Sequence, residues 1–588
     1  MKAKRLLSGL LAAGMLFGLT SCGSPAGQDS NSPSGNASES VGTNSVAPAD
    51  PGQPEYGGTL TLSYNDFNTV FDPAMGEQYT YSLWLEYLFA PNWGLDDPET
   101  YPFKTNSFTL DTAQGQIAES WKWDAETMTF TVTIRDDVYF QEKEEQYDIF
   151  HARNLTAEDV KYSYDRVTGR GSGYDENNYV VIDGDWRDRL NMLESVEVLD
   201  TYVVAFHMNT ASETKLSEFI IAQVNITGPE WDTLTEDQKR DWHYACGTGP
   251  YILTEYVADN HYTFVRNENY YDYDERYPEN KLPYLDGVVL QKYNDTTTVL
   301  SDFIAGNLDY INMNMSLSDS EKAQLTSAAN CQVHSFDAAA DAIGLKLNQE
   351  PLNDIRVRIA MQKAINLPEV ATAYYGLDEL TLPGLWDPAL TDWSTVGTWS
   401  DDVQAEYSYD PEGAKQLLAD AGYPDGFTFE IELDPTANLE LYQVAASYLQ
   451  QIGITMEISV AAEMMEAVQH SQDYNDPRQS AGFGGGFGEY NLAFMMTGNG
   501  AMPNAFGHND TEYLDKLNAM GTATSAEEQS ALAEELDQYF PAQHWAILVA
   551  GVQPNYDFMS NRIGGYSGEK IYYKGNMRTF WARLWINE

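Results

Sequence analysis

Positive charge is scarce in this sequence. Its 33 lysines and arginines stand against 89 aspartates and glutamates, a formal net charge of −56 over 588 residues. A surface this acidic repels phosphate backbones and anionic lipid headgroups, which excludes nucleic acid as a natural partner. Most of the carboxylates read as a solvated surface. Cysteine is almost missing: Cys22, Cys246 and Cys331 are the only three. A chain this long needs no disulfide staple, so Cys246 and Cys331 read as two small buried hydrophobes, with a disulfide between them as the alternative. The eight histidines are scattered, with no pair at the HExxH spacing of zinc hydrolases. There is no GxSxG elbow, no lysine of a phosphate loop, and no EF-hand pattern in the acidic run Asp272–Glu275. No catalytic, cofactor or metal site is therefore expected. Long apolar runs are absent after residue 19.

The N-terminus holds what the rest lacks. Lys2, Lys4 and Arg5 precede an apolar stretch from Leu6 to Leu19, too short for a stable membrane span and laid out as a secretory signal. It ends in Leu19-Thr20-Ser21-Cys22, which resembles the lipobox of bacterial lipoproteins. The resemblance implies a signal peptide over 1–21 and a diacylated Cys22 as the first mature residue. Two acyl chains hold a protein at a membrane where one does not. The competing reading is a plain secretory signal with an incidental cysteine. Residues 22–54 are rich in Ser, Gly, Pro, Asn and Ala and cannot bury enough surface to offset their ordering entropy. They read as a tether.

From residue 55 onward the composition is globular and too long for one core, so two or three lobes of mixed α and β are expected. Met128, Phe130, Val132 and Ile134 alternate with threonines, a half-buried strand. Phe427–Leu433 and Tyr202–Met208 alternate likewise. Thr156-Ala157-Glu158-Asp159 opens a helix with Val160, Tyr164 and Val167 on its apolar face, the threonine hydroxyl accepting a backbone N–H. Asp410-Pro411 opens another, buried through Ala414, Leu417, Leu418 and Ala421. Gly422 supplies its left-handed stop and Pro424 forbids continuation. Ser525 with Glu528 is a further capping box.

Several well-spaced segments carry a family resemblance. They are Gly57-Gly58-Thr59-Leu60, Phe71-Asp72-Pro73-Ala74, Ile117–Trp121, Arg135–Phe140, Leu155–Val160, Gly247-Thr248-Gly249-Pro250-Tyr251, Arg266–Tyr271, Leu282–Asp286, Ile304–Asp309, Leu347-Asn348, Asp354–Arg358 and Ala364–Asn366. In this order the chain resembles extracellular solute-binding protein family 5, the peptide-binding components of ABC transporters. The resemblance implies a two-lobed periplasmic-binding-protein-like fold (type II, cluster C-like) with an extra subdomain on the first lobe. Lobe I is expected at 55–90, 200–314 and 545–588, the extra subdomain at 91–199 and lobe II at 315–544. The two crossings fall near Asn314 and Trp545.

The implied function is a non-enzymatic, monomeric receptor that closes on a small ligand, probed first as a short peptide, and delivers it to an ABC permease. A peptide offers backbone donors and acceptors at every residue, so a strand-like edge in the cleft can accept many sequences. In peptide-binding relatives such an edge follows the first Asp-Pro, which places it at Glu77, Gln78 and Tyr79; an ordinary loop is the alternative. The ligand ammonium needs a carboxylate. Asp473, in Asp-Tyr-Asn-Asp-Pro, has the family-like string but comes early. The run Gly482–Asn491 falls at the expected spacing, its glycines allowing close backbone approach. Gly485, Gly486, Phe487, Glu489, Tyr490 and Asn491 are accordingly candidates, with Glu489 favoured over Asp473, and a mobile surface loop is the alternative. Arg478 reads as a solvated residue, with a ligand carboxylate as the lesser option. Trp386, with Trp393, Trp399, Phe483 and Phe487, can line side-chain pockets. Other readings are a receptor of the same fold for oligosaccharide or a nickel chelate, a surface adhesin, and a secreted carbohydrate-active enzyme with paired carboxylates across a groove.

Overall fold

The computed structural model describes residues 53–64, 71–74, 80–95, 112–169, 190–211, 216, 219–220, 224–293, 295–311, 319–328, 331–337, 340–383, 399–433, 437–461, 479–480, 483–487, 510–521, 523, 526–552, 554–569 and 576–587. The chain begins with strand β1 (Thr59–Ser63) and a short buried helix, α1 (Tyr81–Trp84). Strands β2 (Ala118–Asp124) and β3 (Thr129–Ile134), helix α2 (Ala157–Val167) and strands β4 (Leu193–Asp200) and β5 (Val203–Met208) follow. Next come β6 (Tyr251–Val257), β7 (His261–Arg266), β8 (Gly287–Gln291), α3 (Thr296–Ala305), β9 (Tyr310–Ile311), β10 (Cys331–Asp337) and β11 (Ala340–Gly344). The second half adds α4 (Ile355–Ala364), α5 (Pro411–Asp420), β12 (Thr428–Leu433), α6 (Leu439–Gln450), β13 (Thr455–Val460), β14 (Gln479–Ser480), β15 (Phe483–Phe487), β16 (Ala546–Leu548) and β17 (Pro554–Ser560).

Local chemistry explains these elements. In β3 the inward residues Phe130, Val132 and Ile134 are fully buried between half-exposed threonines. Met128 was expected as the first inward residue and is not. The Asp124 carboxylate accepts the N–H groups of Glu126 and Thr127, tightening the hairpin, and Met128 takes a left-handed turn position (φ 49°). At the start of α2 the expected capping box forms: the Thr156 side chain takes the Asp159 N–H, and the Asp159 carboxylate accepts the Thr156 N–H and hydroxyl. The Asp410 carboxylate caps α5 through the Gly413 N–H, 2.9 Å. Gly422 (φ 98°) ends that helix in the expected left-handed conformation. The Ser525 capping box lies outside the described residues.

Seven strands form one sheet in the order β10-β17-β9-β1-β8-β7-β6, with β1 parallel to β8 and β9 and the other pairs antiparallel. An antiparallel sheet β2-β3-β5-β4 stands beside it. The two share a single hydrophobic core, from Leu60 and Val288 through Trp84 to Phe130, Phe206 and Phe219. The described residues of 91–199, expected to form an extra subdomain, thus share the core of the first lobe. A second core covers Ala340–Ala550, under the antiparallel sheet β15-β11-β16 and the parallel sheet β13-β12-β14. Strand β10 pairs with β17 along its whole length, so the chain remains in the first sheet well past the crossing expected near Asn314. Cys246 and Cys331 are unpaired; Cys246 is buried and donates to the Gln141 carbonyl, and Cys331 is half-buried. Among the described residues no helix is long and apolar enough to cross a membrane.

Candidate functional site

The segment expected to meet the ligand in the first lobe leaves β1 and passes through Asp72-Pro73, and the structure shows how its root is fixed. The buried Asp72 carboxylate accepts two parallel bonds from the buried Arg166 guanidinium, at 2.6 and 2.7 Å. It also takes the Ala74 N–H. Burial alone would raise its pKa, but the bonds and charge of Arg166 outweigh this and hold it below the usual carboxylate range. Asn225 donates to the Pro73 carbonyl and the Tyr81 hydroxyl to the Asp72 carbonyl. Arg166 thus holds Asp72, and the next described element, α1, has all its residues buried. Glu77, Gln78 and Tyr79 themselves lie outside the described residues, as does Asp473.

Helix α1 is in turn seated by the family motifs. A Cβ on Gly247 would lie 2.2 Å from the Trp84 carbonyl oxygen, and one on Gly249 2.7 Å from the Trp84 carbonyl carbon. Only glycine allows this approach, and the Gly249 N–H donates to the Trp84 carbonyl. Two residues on, the fully buried Glu86 accepts from Gln116 (3.1 Å), Tyr270 (2.8 Å) and Tyr271 (2.9 Å). Burial lifts its pKa to about 7, against hydrogen bonds that lower it. Asp309, from the Ile304–Asp309 motif, takes the Thr61 N–H of β1 and a forked pair from Arg562. The motifs that carry the resemblance are thus mostly scaffold. Arg166 and Glu86 went unremarked in the sequence, although a lone arginine on the apolar side of α2, seven residues after the capping Asp159, was a usable signal.

In the second lobe Phe483–Phe487 of the glycine run forms a strand. Among the described residues strand β15 lies at the edge of its sheet, antiparallel to β11, with Ala342 opposite Phe483 and Ala340 opposite Phe487. Gly484, Gly485 and Gly486 therefore face the single residue Asp341, and the backbone bulges there. An edge strand leaves one row of peptide groups unpaired within its own sheet, which a second extended chain can use. Of the candidate residues, Gly485, Gly486 and Phe487 sit on this edge; Glu489, Tyr490, Asn491 and Trp386 are outside the described residues, and no described contact joins the candidates of the two lobes. Trp393 and Arg478 are outside as well. Trp399 is buried in the second core, its ring 4.6 Å from that of Tyr407.

An open hollow of about 450 Å³ lies between the ends of β1 and β8 and the start of α3. It is lined from the first lobe alone. Its polar side chains are committed: Lys292 pairs with Asp259, Tyr293 and Asn307 bond Asp302, and Asp295 caps α3. Among the described residues no cluster of three or more His, Cys, Asp or Glu is placed to hold a metal ion.

Two large hydrophobic cores under separate sheets fit a two-lobed solute-binding protein. The chain belongs to the bacterial extracellular solute-binding proteins, family 5, whose middle-region model matches residues 112–502. It is 26% identical over 340 residues to heme-binding protein A of Haemophilus influenzae, covering 57% of each chain. It is 23% identical over 322 residues to the dipeptide-binding protein of Escherichia coli, covering 54% of this chain and 56% of the relative. The chain thus matches little more than half the length of these relatives. Among solved structures, DppA of Helicobacter pylori, in complex with the peptide STSA, superposes with a TM-score of 0.68 at 18% identity, over 91% of this chain and 99% of that one. The oligopeptide-binding protein AppA of Bacillus subtilis, in complex with a nonapeptide, gives 0.67 at 17% identity over 91% and 100%.

Proposed function

We propose that the chain is the peptide-capturing receptor of an ABC importer. A short peptide bridges the segment after Asp72-Pro73 and the edge of β15, the lobes close on it, and the closed form delivers it to the permease. The observation that carries this reading is the glycine-bulged edge strand, which offers backbone hydrogen bonds without selecting side chains. The names of the dipeptide-binding relative and of the peptide-bound neighbours point the same way. Glu77, Gln78 and Tyr79 supply the first-lobe edge, Glu489 the ammonium partner, and Trp386 a side-chain wall. A ligand that touches both lobes only when they are closed shifts the balance by its differential affinity for that state. The protein acts as a monomer and carries out no covalent step.

We also place the outgoing crossing after Asp337, later than Asn314, and the return after Leu548, with lobe II between them. A panel of peptides, oligosaccharides, nickel chelates and hemin (after the name of the Haemophilus relative), read by thermal shift and native mass spectrometry, tests the ligand class. Peptides of two to ten residues should raise Tm. A rise with sugars or hemin and none with peptides would reassign the site.

Cys22 is the proposed lipid anchor. Cys22→Ala should move the protein from the membrane fraction to the medium, as cell fractionation would show, since the anchor's acyl chains supply the membrane affinity. Retention of the variant on the membrane would contradict the anchor.

A further inference from the structure

The two crossings are unequal. Asp337 pairs with Pro554, and Ala342 with Leu548, so the sequence between these paired positions is one residue longer on the return side. The surplus is taken up at once: the Val549 and Ala550 N–H groups both donate to the Asp341 carbonyl, at 2.9 and 3.3 Å, the pattern of a β-bulge. Asp341 therefore has a bulge on each side, Gly484–Gly486 of β15 on one and Val549–Ala550 on the other. The proposed ligand edge and the return crossing are one strand apart. The Gln362 side-chain amide pins the last residue of β16 through both the N–H and the carbonyl of Leu548. The proposed return crossing starts just beyond it.

There the crossing is covered by a strap. Residues 377–383 leave a turn of helix and lie over Gly551. A Cβ on Gly551 would come within 2.4 Å of Leu380 Cδ1 and 2.6 Å of the Thr381 carbonyl oxygen, and the Val552 N–H donates to that same oxygen at 2.9 Å. Gly551 has no left-handed φ among the positive-φ glycines, so its lack of a side chain serves the close approach alone. Leu380 and Leu382 pack on the second core, which makes the strap part of lobe II. Trp386 follows it in sequence by a few residues.

We propose that Gly551 is a positioning residue for lobe closure: the Leu380–Thr381 strap, seated on it, fixes the lobe II end of the hinge and so sets the open–closed balance. This rests on the clamp reading above, but its test needs no ligand. Gly551→Ala cannot be absorbed by a side-chain shift alone, because the Thr381 backbone is one of the two obstacles. Hydrogen exchange should show the Val552 amide exchanging about tenfold or more faster once its bond to Thr381 is forced apart. Spin labels carried by non-canonical amino acids at the exposed Val265 and Leu439, one on each lobe, should show an altered interlobe distance distribution in the ligand-free protein. Leu382→Ala removes packing of the strap on the core without touching Gly551; it should lower Tm and leave the distances unchanged. If alanine at 551 blocks folding, Leu380→Ala loosens the same contact from the other side and should shift the distances in a smaller degree. Wild-type distances in both Gly551→Ala and Leu380→Ala, with loss of Tm only, would overturn the proposal. Failure of peptides to bind the wild-type protein would instead overturn the ligand reading and leave these readouts standing.

Discussion

Arg166→Met is expected to lower the free energy of unfolding by about 3–5 kcal/mol, the cost of leaving a buried charge without its partner. Both groups of the pair are almost wholly inaccessible, and the guanidinium meets Asp72 with two parallel bonds. The variant strands the carboxylate in a site that burial already makes unfavourable for it. Adding Asp72→Asn should recover a good part of the loss, because the amide keeps an acceptor for the Ala74 N–H and carries no charge. Urea unfolding of the two single variants and the double variant gives the coupling directly. The pair also holds the root of the segment running into Glu77–Tyr79, so the single variant should lose more ligand affinity than its lowered stability explains. Additive losses in the double variant would show that the two side chains do not act as a pair.

The second large effect concerns pH. Glu86 has its carboxyl lifted by burial from an ordinary 4.5 to about 7. The folded protein therefore holds this proton more tightly than the unfolded chain does. That contribution is complete below pH 4.5 and is lost as pH rises through about 7, a fall of about 2–3 kcal/mol between pH 5 and pH 8. Asp272, lifted to about 6 by burial with Glu275 nearby and Arg583 opposing, acts in the same direction at lower pH. Asp72 and Asp274 are held low by Arg166 and Arg276 once burial is outweighed, and have the opposite sign: their contribution appears above pH 3.8 and is lost in acid. Glu86→Gln keeps an oxygen for Gln116 and the two tyrosines and has no proton to lose. It should match the wild type near pH 5 and exceed it by about 2–3 kcal/mol at pH 8, measured by denaturant titration at each pH. A variant with the wild-type slope on the alkaline side would place the pH dependence elsewhere.

Patterns with a short period were legible in the sequence. The alternation of β3, the Asp410 cap and the Gly422 stop of α5 each depend on neighbours a few residues away, and each formed as read. The motif order carried the family and the two-lobed fold. Met128 was misplaced because the turn made by Asp124 outranked its hydrophobicity. The partners that hold the site were not legible, because they lie far apart in the chain: Arg166 is 94 residues from Asp72, and Tyr270 is 184 from Glu86. Glycine-rich sequence was ambiguous for a different reason. Glycine permits a loop, a close approach or a bulged edge equally, and only pairing with Ala340 and Ala342 decides among them. The place of β10 was not legible near Asn314, because it joins a sheet whose other strands come from both ends of the chain.

The heart of the account is a single solute gripped by two bodies that swing together. Small-angle scattering of the purified protein, before and after addition of a peptide that native mass spectrometry shows to bind, measures this directly. The account predicts a smaller radius of gyration in the complex at every peptide length that binds. A peptide held stoichiometrically, with a scattering profile that superimposes on that of the free protein, would contradict it.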